Sequence, residues 1–421
     1  MQKLLYKDNE KYLKYLILFF YSILLILSSF LFNSPSEIFN GLKVIIAHPD
    51  LLIVDYFEVA NIGSALFNSG LVMIMLLAIV LFQNIDPNGP VISAIFTVGG
   101  FSMFGKNIIN VLSIILGVYI YSKIKKEKFS KYTVIAFFST ALSPLVTHVG
   151  FGSELLVPFN YIFAIVSGLF VGLIMPPLAS SFVRFHDGYS LYNIGFTAGI
   201  IGMVVASLFK IFDRPLESLS TVYEGPDGKI KIIIYIIIIS MILFKFIISR
   251  LDFHRYKNLI GRSGRLVTDF VSLDGFDFAI FNMGIVGLIC MLYLEIIDAT
   301  INGPTIAALF TVIGFGSFGK HPRNILPVML GAILMLKITG SDLTSIGSVL
   351  TVLFSTTLAP IAGEFGVLFG LLAGGLHASL VSNLSYLHAG LNLYNNGFSG
   401  GFVAAFLVPI ITSFRKEKAD E

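Results

Sequence analysis

The sequence is poor in charge. Only 13% of its 421 residues are Asp, Glu, Lys or Arg, whereas a soluble domain has about a quarter. Apolar residues make up 56% of the chain, and the mean hydropathy is +0.87. A bilayer core cannot solvate charged side chains, so a chain that spans it carries few of them. The composition therefore excludes a soluble enzyme, a nucleic-acid-binding protein and a disordered chain, and it predicts an all-α integral membrane protein.

Tryptophan is absent, and Cys290 is the only cysteine. Tyrosine and phenylalanine must then form any aromatic belt at the membrane surface. One cysteine excludes a disulfide framework and a cysteine-based zinc site. The histidines lack metal-ligand spacing, and the motifs of hydrolases and nucleotide-binding enzymes are missing. We therefore expect no cofactor, no metal and no enzymatic activity, with an intramembrane enzyme as the least favoured alternative.

The sequence repeats itself. Residues 88–106 and 302–320 are identical at 13 of 19 positions, and both read N-G-P-x-I-x-A-x-F-T-V-x-G-F-x-x-F-G-K. A second block, L-Y-N-x-G-F, occurs at 191–196 and again at 393–398. The order of the blocks is kept, which predicts a duplicated chain. The predicted parts are a first membrane repeat (1–212), an external connecting loop (213–229) and a second, inverted membrane repeat (230–421).

Each half contains about seven apolar segments. The third segment of each half is short, near 90–104 in the first half and 303–318 in the second. A straight helix needs about 20 residues to cross about 30 Å of hydrocarbon. Some segments are therefore predicted to be re-entrant half-helices that enter the membrane where protein or a cavity surrounds them.

Lysine and arginine concentrate in four clusters, which the positive-inside rule assigns to the cytoplasm. These are Lys3–Lys14, Lys123–Lys128, Arg250–Arg265 and Arg415–Lys418. The loop 33–54 after the first segment is acidic and predicted to be external, whereas the equivalent loop of the second half is the basic Arg250–Arg265 cluster. Equivalent loops thus lie on opposite faces. This predicts inverted-topology repeats, with both termini in the cytoplasm.

Inverted repeats are typical of transporters, whose substrate site lies near the membrane midplane where broken helices end. Asn88 and Asn302 open the N-G-P blocks, where asparagine caps a helix whose first amides attract polar or anionic groups. The L-Y-N-x-G-F blocks add hydrogen-bonding asparagines and glycines that permit close backbone approach. The predicted substrate-binding residues are Asn88, Asn302, Tyr192, Asn193, Gly195, Tyr394, Asn395 and Gly397. Bracing of helix ends by the asparagines stays an open alternative.

Four ionisable residues are further candidates. Lys106 and Lys320 end the N-G-P blocks and are predicted anion contacts, the alternative being that they extend to the membrane surface. His148 and Glu364 occupy equivalent positions in apolar runs, where an ionisable group is costly. They are predicted to couple transport to an ion or proton gradient, the alternative being that they lie at segment ends in contact with water.

The whole chain, with its paired N-G-P and L-Y-N-x-G-F blocks, resembles a bacterial family of polytopic membrane proteins of unknown function. The L-Y-N-x-G-F blocks are also similar to the glycine-tyrosine-asparagine stretch of urea transporters. That resemblance implies two inverted halves and a narrow phenylalanine-lined pore for a small neutral solute. The leucine-proline signature of urea transporters is absent, so a urea specificity is not implied.

The sequence therefore predicts a secondary transporter of a small polar or anionic metabolite. The alternative is a channel-like facilitator of a small neutral solute. The expected partners are a small-molecule substrate and the lipid bilayer. Nucleic acid is excluded because the net charge is only +3, and a homo-oligomer is left open.

Overall fold

The computed structural model describes residues 2–152, 156–213, 216, 220–249 and 252–417, and within these ranges it contains helices but no β-strand. The prediction of an all-α protein is therefore confirmed for the described residues. Some residues used to predict orientation and domain limits lie outside the described residues or have undescribed side chains. These are Lys3, Lys7, Arg250, Arg415, Lys416, Lys418 and part of the 213–229 loop.

The described ranges form twenty α-helices, joined by loops and short 3-10 turns. They are α1 (Gln2–Ser29), α2 (Pro35–Ala47), α3 (Tyr56–Val59), α4 (Ile62–Phe82), α5 (Gly89–Phe101), α6 (Ile108–Ile124), α7 (Thr133–Ser139), α8 (Ser143–Phe151), α9 (Phe159–Phe182), α10 (Asn193–Ile211), α11 (Gly228–Ile248), α12 (Phe253–Ile260), α13 (Phe270–Asp274), α14 (Phe276–Ile296), α15 (Gly303–Phe315), α16 (Pro322–Ile338), α17 (Ile346–Ser355), α18 (Ala359–Phe365), α19 (Val367–Leu384) and α20 (Asn395–Glu417).

Ten helical stretches in the described part of the chain are long and apolar enough to cross a membrane. They are α1, α4, α7 with α8, α9, α10, α11, α14, α17 with α18, α19 and α20. The chain is therefore a multi-pass membrane protein, as predicted. Fewer stretches reach spanning length than the fourteen predicted segments, because α5 and α15 have 13 residues and α6 and α16 have 17. A 13-residue helix is only about 20 Å long.

The loop 33–54 contains a helix, α2, that the search for long apolar segments did not predict. Pro35 occupies its first turn, and Ser34 and Glu37 form a reciprocal capping box. One face of α2 is buried against α4 through Ile38 and Ile45. The capping box in the sequence is the signal that would have identified this helix.

The two shortest apolar helices form the centre of the molecule. Every residue of α15 is buried, and in α5 only Pro90 is partly exposed. The two helices pack against each other, and glycines at matching positions permit the close approach. A Cβ atom on Gly100 would lie 2.8 Å from the Phe310 Cβ, and one on Gly314 would lie 2.8 Å from the Phe96 Cβ. These helices are hydrophobic on all sides because protein surrounds them.

Two of the longer stretches are broken in the same way. A 3-10 turn, Thr140–Leu142, separates α7 from α8, and Thr356–Leu358 separates α17 from α18. Pro144 and Pro360 follow these turns near the start of the next helix. Because proline has no backbone N–H, it interrupts the regular helical hydrogen bonds and is tolerated in a first turn. Each break places a threonine hydroxyl in the interior.

The two L-Y-N-x-G-F blocks meet where α10 and α20 begin. A Cβ atom on Gly397 would lie 2.8 Å from the Tyr192 Cβ and 2.9 Å from the Tyr192 carbonyl oxygen. The reciprocal contacts of Gly195 with Tyr394 are both 2.9 Å. The blocks therefore converge, and glycine is needed at both positions because backbone atoms occupy the place of a side chain.

We expect Gly397→Ala to destabilise the protein by about 1–3 kcal/mol, because the added methyl group overlaps backbone that cannot rotate away. The measurement is thermal unfolding of the purified protein in detergent. Gly347→Ala is the matched control, since a Cβ atom there has no neighbour within 4 Å. A Gly397→Ala protein that unfolds at the wild-type temperature would contradict the close approach of the two blocks.

Candidate functional site

Two lysines are fully buried in the centre of the molecule. Lys106 and Lys320 follow α5 and α15, and both have 0% exposed surface. The Lys106 ammonium donates to the Thr140 hydroxyl at 2.7 Å and to the Tyr394 hydroxyl at 2.6 Å. The equivalent contacts of Lys320 are with Thr356, at 2.8 Å, and with the hydroxyl of Tyr192. Each lysine thus reaches a tyrosine from the L-Y-N-x-G-F block of the other half.

Burial excludes the alternative in which these lysines extend to the membrane surface. No carboxylate of the described residues lies within 4.0 Å of either ammonium group. The chain does pair another buried lysine: Lys245 lies 2.8 Å from the Asp277 carboxylate. Taking an ammonium group out of water costs several kcal/mol unless an opposite charge compensates it. The lack of such a charge therefore sets Lys106 and Lys320 apart.

Tight turns hold the two lysines in place. Gly105 and Gly319 precede them with φ values of +83° and +86°, which glycine adopts without strain. The Asn68 side-chain amide donates to the Lys106 carbonyl at 2.8 Å. The Asn282 amide makes the same 2.8 Å bond to the Lys320 carbonyl. Asparagines in α4 and α14 therefore stabilise the turns that follow the two central helices.

Six aromatic rings form a connected group beside the lysines. Phe101 stacks on Phe354 with ring centroids 5.9 Å apart, and Phe138 lies 5.7 Å from Phe315. Tyr394 meets Phe101 edge-on at 4.8 Å, and Tyr192 meets Phe315 at 5.0 Å. The lysine ammonium groups lie 4.4 Å and 4.5 Å from the two tyrosine ring centroids, within the range of cation–π attraction.

Two cavities reach this aromatic group. The smaller cavity, of about 240 Å³, is lined by all six rings. The larger cavity, of about 610 Å³, is lined by more serine, threonine and asparagine residues than the smaller one. Phe354 and Asn396 line both cavities. Residues at equivalent positions of opposite halves line the two cavities. Leu266, Val267, Val134 and Ile135 line the smaller cavity, and Leu52, Ile53, Leu350 and Thr351 line the larger one.

The N-G-P asparagines cap the central helices, as predicted. Asn88 accepts from the Val91 amide at 3.1 Å, and Asn302 accepts from the Thr305 amide at 3.0 Å. The first amides of these helices are not free for a solute, however. A carboxylate from the opposite half of the chain occupies each of them.

Asp269 accepts from the Gly89 amide at 2.9 Å, and Asp55 accepts from the Gly303 amide at 3.3 Å. Asp55 also accepts from the Tyr223 amide at 3.0 Å and is fully buried. Burial raises the pKa of the Asp55 carboxyl to about 7, against the opposing effect of its backbone hydrogen bonds. The two aspartates are equivalent positions in the repeat, which was the only sequence signal for their role.

Asn193 and Asn395 are bonded to the histidines that precede their L-Y-N-x-G-F blocks. The Asn193 side-chain oxygen lies 3.0 Å from the His186 Nε2, and that of Asn395 lies 2.8 Å from the His388 Nε2. The Asn193 amide group also donates to the Ala179 carbonyl at 3.1 Å. These contacts are those expected if the asparagines brace helix ends. Their predicted binding of a substrate stays a prediction.

The structure places His148 and Glu364 away from the lysines and the aromatic rings. His148 is partly exposed in α8, with its ring centroid 5.8 Å from that of Phe209. Glu364 is exposed near the end of α18. Neither residue lines either cavity.

Sequence reasoning missed two polar residues of the cavities. Thr97 lines the smaller cavity with 2% exposure, and its hydroxyl has no hydrogen-bond partner in the described part of the chain. Asn396 lines both cavities, and its oxygen lies 2.9 Å from the His377 Nε2. Asn396 had no signal in the repeat, because the equivalent residue of the first half is Ile194.

A family model described as a protein of unknown function (DUF1576) matches residues 34–211 and 249–413. The two matched segments together cover most of the chain. No curated protein and no solved structure matches it.

The Asp55 carboxyl predicts a pH-dependent contribution to stability. Its pKa is about 7 in the folded protein and 3.8 as the ordinary value. Between these values the folded state binds more protons than the unfolded state, so this contribution is present below about pH 4 and is lost as the pH rises to about 7. Asp55→Asn removes the titration. We therefore expect the stability of the wild type relative to Asp55→Asn to fall over this range.

The measurement is thermal unfolding of both proteins from pH 4 to pH 8. Asp269→Asn is the matched control, because it changes the equivalent helix cap at a carboxyl that is only partly buried. A stability difference between wild type and Asp55→Asn that stays constant with pH would contradict the raised pKa.

Proposed function

The chain belongs to this family of unknown function, and we propose that it is a secondary transporter of a small polar or anionic metabolite. The observation that carries the proposal is the pair of cavities, which equivalent residues of the two halves line and which meet at Phe354 and Asn396. A transporter needs a central site that can be reached from either side of the membrane. Two related cavities ending at one aromatic group fit this requirement.

The proposal includes inverted-topology repeats in a bacterial cytoplasmic membrane. Contacts are exchanged between the halves: Lys106 bonds to Tyr394 while Lys320 bonds to Tyr192. Such reciprocal contacts are expected about a pseudo-two-fold axis. The distribution of lysine and arginine places equivalent loops on opposite sides of the membrane. A two-fold axis that relates such loops lies in the membrane plane.

The same distribution of charged residues indicates the side of the membrane to which each cavity opens. Leu52 of the larger cavity belongs to the acidic loop 33–54, so that cavity opens to the outside. Leu266 of the smaller cavity follows the basic cluster Arg250–Arg265, so that cavity faces the cytoplasm. The larger outer cavity then corresponds to an outward-facing state. The stacked Phe101–Phe354 and Phe138–Phe315 pairs would form the barrier between the two sides.

A channel-like facilitator of a small neutral solute is the second candidate. The observation that favours it is the aromatic lining of the smaller cavity, which would suit a narrow pore. A channel and a transporter differ in whether both cavities admit solute at the same time. That difference can be tested without knowledge of the substrate.

We expect reciprocal access at the equivalent positions Thr351 and Ile135. In a Cys290→Ser background, an impermeant maleimide on intact cells should modify Thr351→Cys but not Ile135→Cys. In inside-out vesicles the labelling should be reversed. In the double variant, prior modification of Thr351→Cys from outside should slow the labelling of Ile135→Cys from inside, because an occupied outer cavity holds the outward-facing state. Mass spectrometry measures modification at each position.

The control is Ile135→Cys alone, treated first from outside with the same maleimide; its later labelling rate should be unchanged. An undiminished rate at Ile135→Cys in the double variant would support the channel. Labelling of Ile135→Cys from outside in intact cells would overturn the inverted topology.

We further propose that His148 or Glu364 couples transport to a proton gradient, on the basis of their equivalent positions in apolar runs. Glu364→Gln preserves the shape of the side chain and removes its charge. Gradient-driven accumulation of a substrate in proteoliposomes should then be lost, while binding in detergent is kept. Wild-type pH dependence of uptake in this variant would remove Glu364 from the mechanism.

A further inference from the structure

The centre of the molecule holds several hydrogen-bond donors that have no acceptor in the described residues. Each buried lysine has three N–H groups and makes two hydrogen bonds, both to hydroxyl oxygens. The Thr97 hydroxyl has no partner in the described residues. The Asn396 amide nitrogen makes no hydrogen bond with them either, while the oxygen of the same side chain is taken by His377. A ligand that supplies acceptors would satisfy these groups.

The two tyrosines connect the lysines to the smaller cavity. The Tyr394 oxygen accepts from the Lys106 ammonium group, so its own O–H hydrogen is directed elsewhere. The Thr140 hydroxyl, which also accepts from Lys106, is the other polar group beside this tyrosine in the described residues. Tyr192 has the same arrangement with Lys320 and the Thr356 hydroxyl. Both tyrosine side chains line the smaller cavity, whereas the lysines do not. A hydroxyl that accepts from an ammonium group is a stronger donor, because the bonds of a chain polarise one another.

The two lysines give the site positive charge when they are protonated. The titratable groups that face the lysines are Tyr394 at Lys106, and Tyr192 and Cys290 at Lys320. No carboxylate accompanies them within 4.0 Å in the described ranges. A ligand carrying negative charge would compensate the buried ammonium groups, as Asp277 does for Lys245.

We propose that the smaller cavity binds a small organic carboxylate, whose oxygens accept from the hydroxyls of Tyr192, Tyr394 and Thr97. Lys106 and Lys320 are positioning residues that act through the tyrosines. The inference rests on the proposed function only where it assumes that this ligand is transported. It names the substrate class of the same site.

The lining of the cavity decides between classes of ligand. Five phenylalanine rings line it, and they cannot replace the water lost by a small inorganic anion. The apolar part of an organic acid can pack against these rings. A neutral amide such as urea needs acceptors as well as donors. The Asn193 oxygen is already engaged by His186, and the Asn396 oxygen by His377.

The experiment measures equilibrium binding of radiolabelled butyrate and benzoate to the purified full-length protein in detergent. We expect saturable binding of at least one of these carboxylates. Unlabelled carboxylate should compete, whereas urea and chloride should not. Lys106→Met and Lys320→Met replace the ammonium group by an uncharged chain of similar length, and each should weaken binding roughly 10- to 100-fold.

Double variants test the route through the tyrosine. Tyr394→Phe should weaken binding, and Lys106→Met combined with Tyr394→Phe should lose little more than the worse single variant, because the two groups act as one unit. Additive losses would overturn the relay.

Thr97→Val keeps the test valid if the lysine variants do not fold. It retains the shape of the side chain and should weaken binding about 2- to 13-fold. Thr311→Val is the matched control in the other half and should have little effect. The Thr311 hydroxyl already donates to the Ala307 carbonyl at 2.7 Å and cannot donate to a carboxylate.

The outcomes separate the ligand class from transport. Carboxylate binding that depends on Lys106 and Thr97, without accumulation in proteoliposomes, supports the ligand class and removes the transport function. Transport of a neutral solute that Lys106→Met leaves unchanged supports transport and overturns the carboxylate site. Failure of both butyrate and benzoate to bind the wild type, or displacement of either by chloride, also overturns the proposal.

Discussion

The first backbone amide of each central helix, α5 and α15, donates to an aspartate from the other half of the chain. Asp269 binds the first amide of α5, and Asp55 binds the first amide of α15. A carboxylate at a helix N-terminus satisfies unpaired N–H groups and compensates the positive end of the helix dipole. These two contacts fix the ends of α5 and α15 relative to both halves. The lysine turns that follow the two helices, and the aromatic group beside those turns, depend on this arrangement.

The position of the aspartates also explains why buried lysines near the centre can lack a carboxylate partner. The Asp55 and Asp269 carboxyls lie at the helix starts, where backbone amides donate to them. The lysines lie at the opposite ends of the same helices. There the described hydrogen-bond acceptors of each ammonium group are two hydroxyls, one from a helix break and one from a tyrosine. A helix C-terminus carries partial negative charge, which favours a cation nearby. The fold thus gives each lysine modest stabilisation and leaves room for an anion.

The sequence predicted the parts of this site that the duplication makes visible. The blocks containing Lys106 and Tyr394 stand out because each occurs twice, and their glycines and prolines mark the turns and broken helices. The contact between those two residues was not predictable, because it joins positions 288 apart along the chain. Spacing of apolar residues indicates that a helix exists but not which helix lies beside it. Asn396 was missed for a different reason, since it occurs in one half alone.

The two halves differ in the polar residues that they contribute to the site. The frame of the site is nearly symmetric, but Thr97 and Thr311 differ in whether the hydroxyl is free, and Asn396 stands opposite Ile194. A perfectly symmetric site would bind a small ligand equally well in two orientations. A free donor present in only one half favours a single orientation, in which the polar end of the ligand lies toward Thr97. Because both cavities touch Asn396, a polar group bound there would keep one contact while access changes from one cavity to the other.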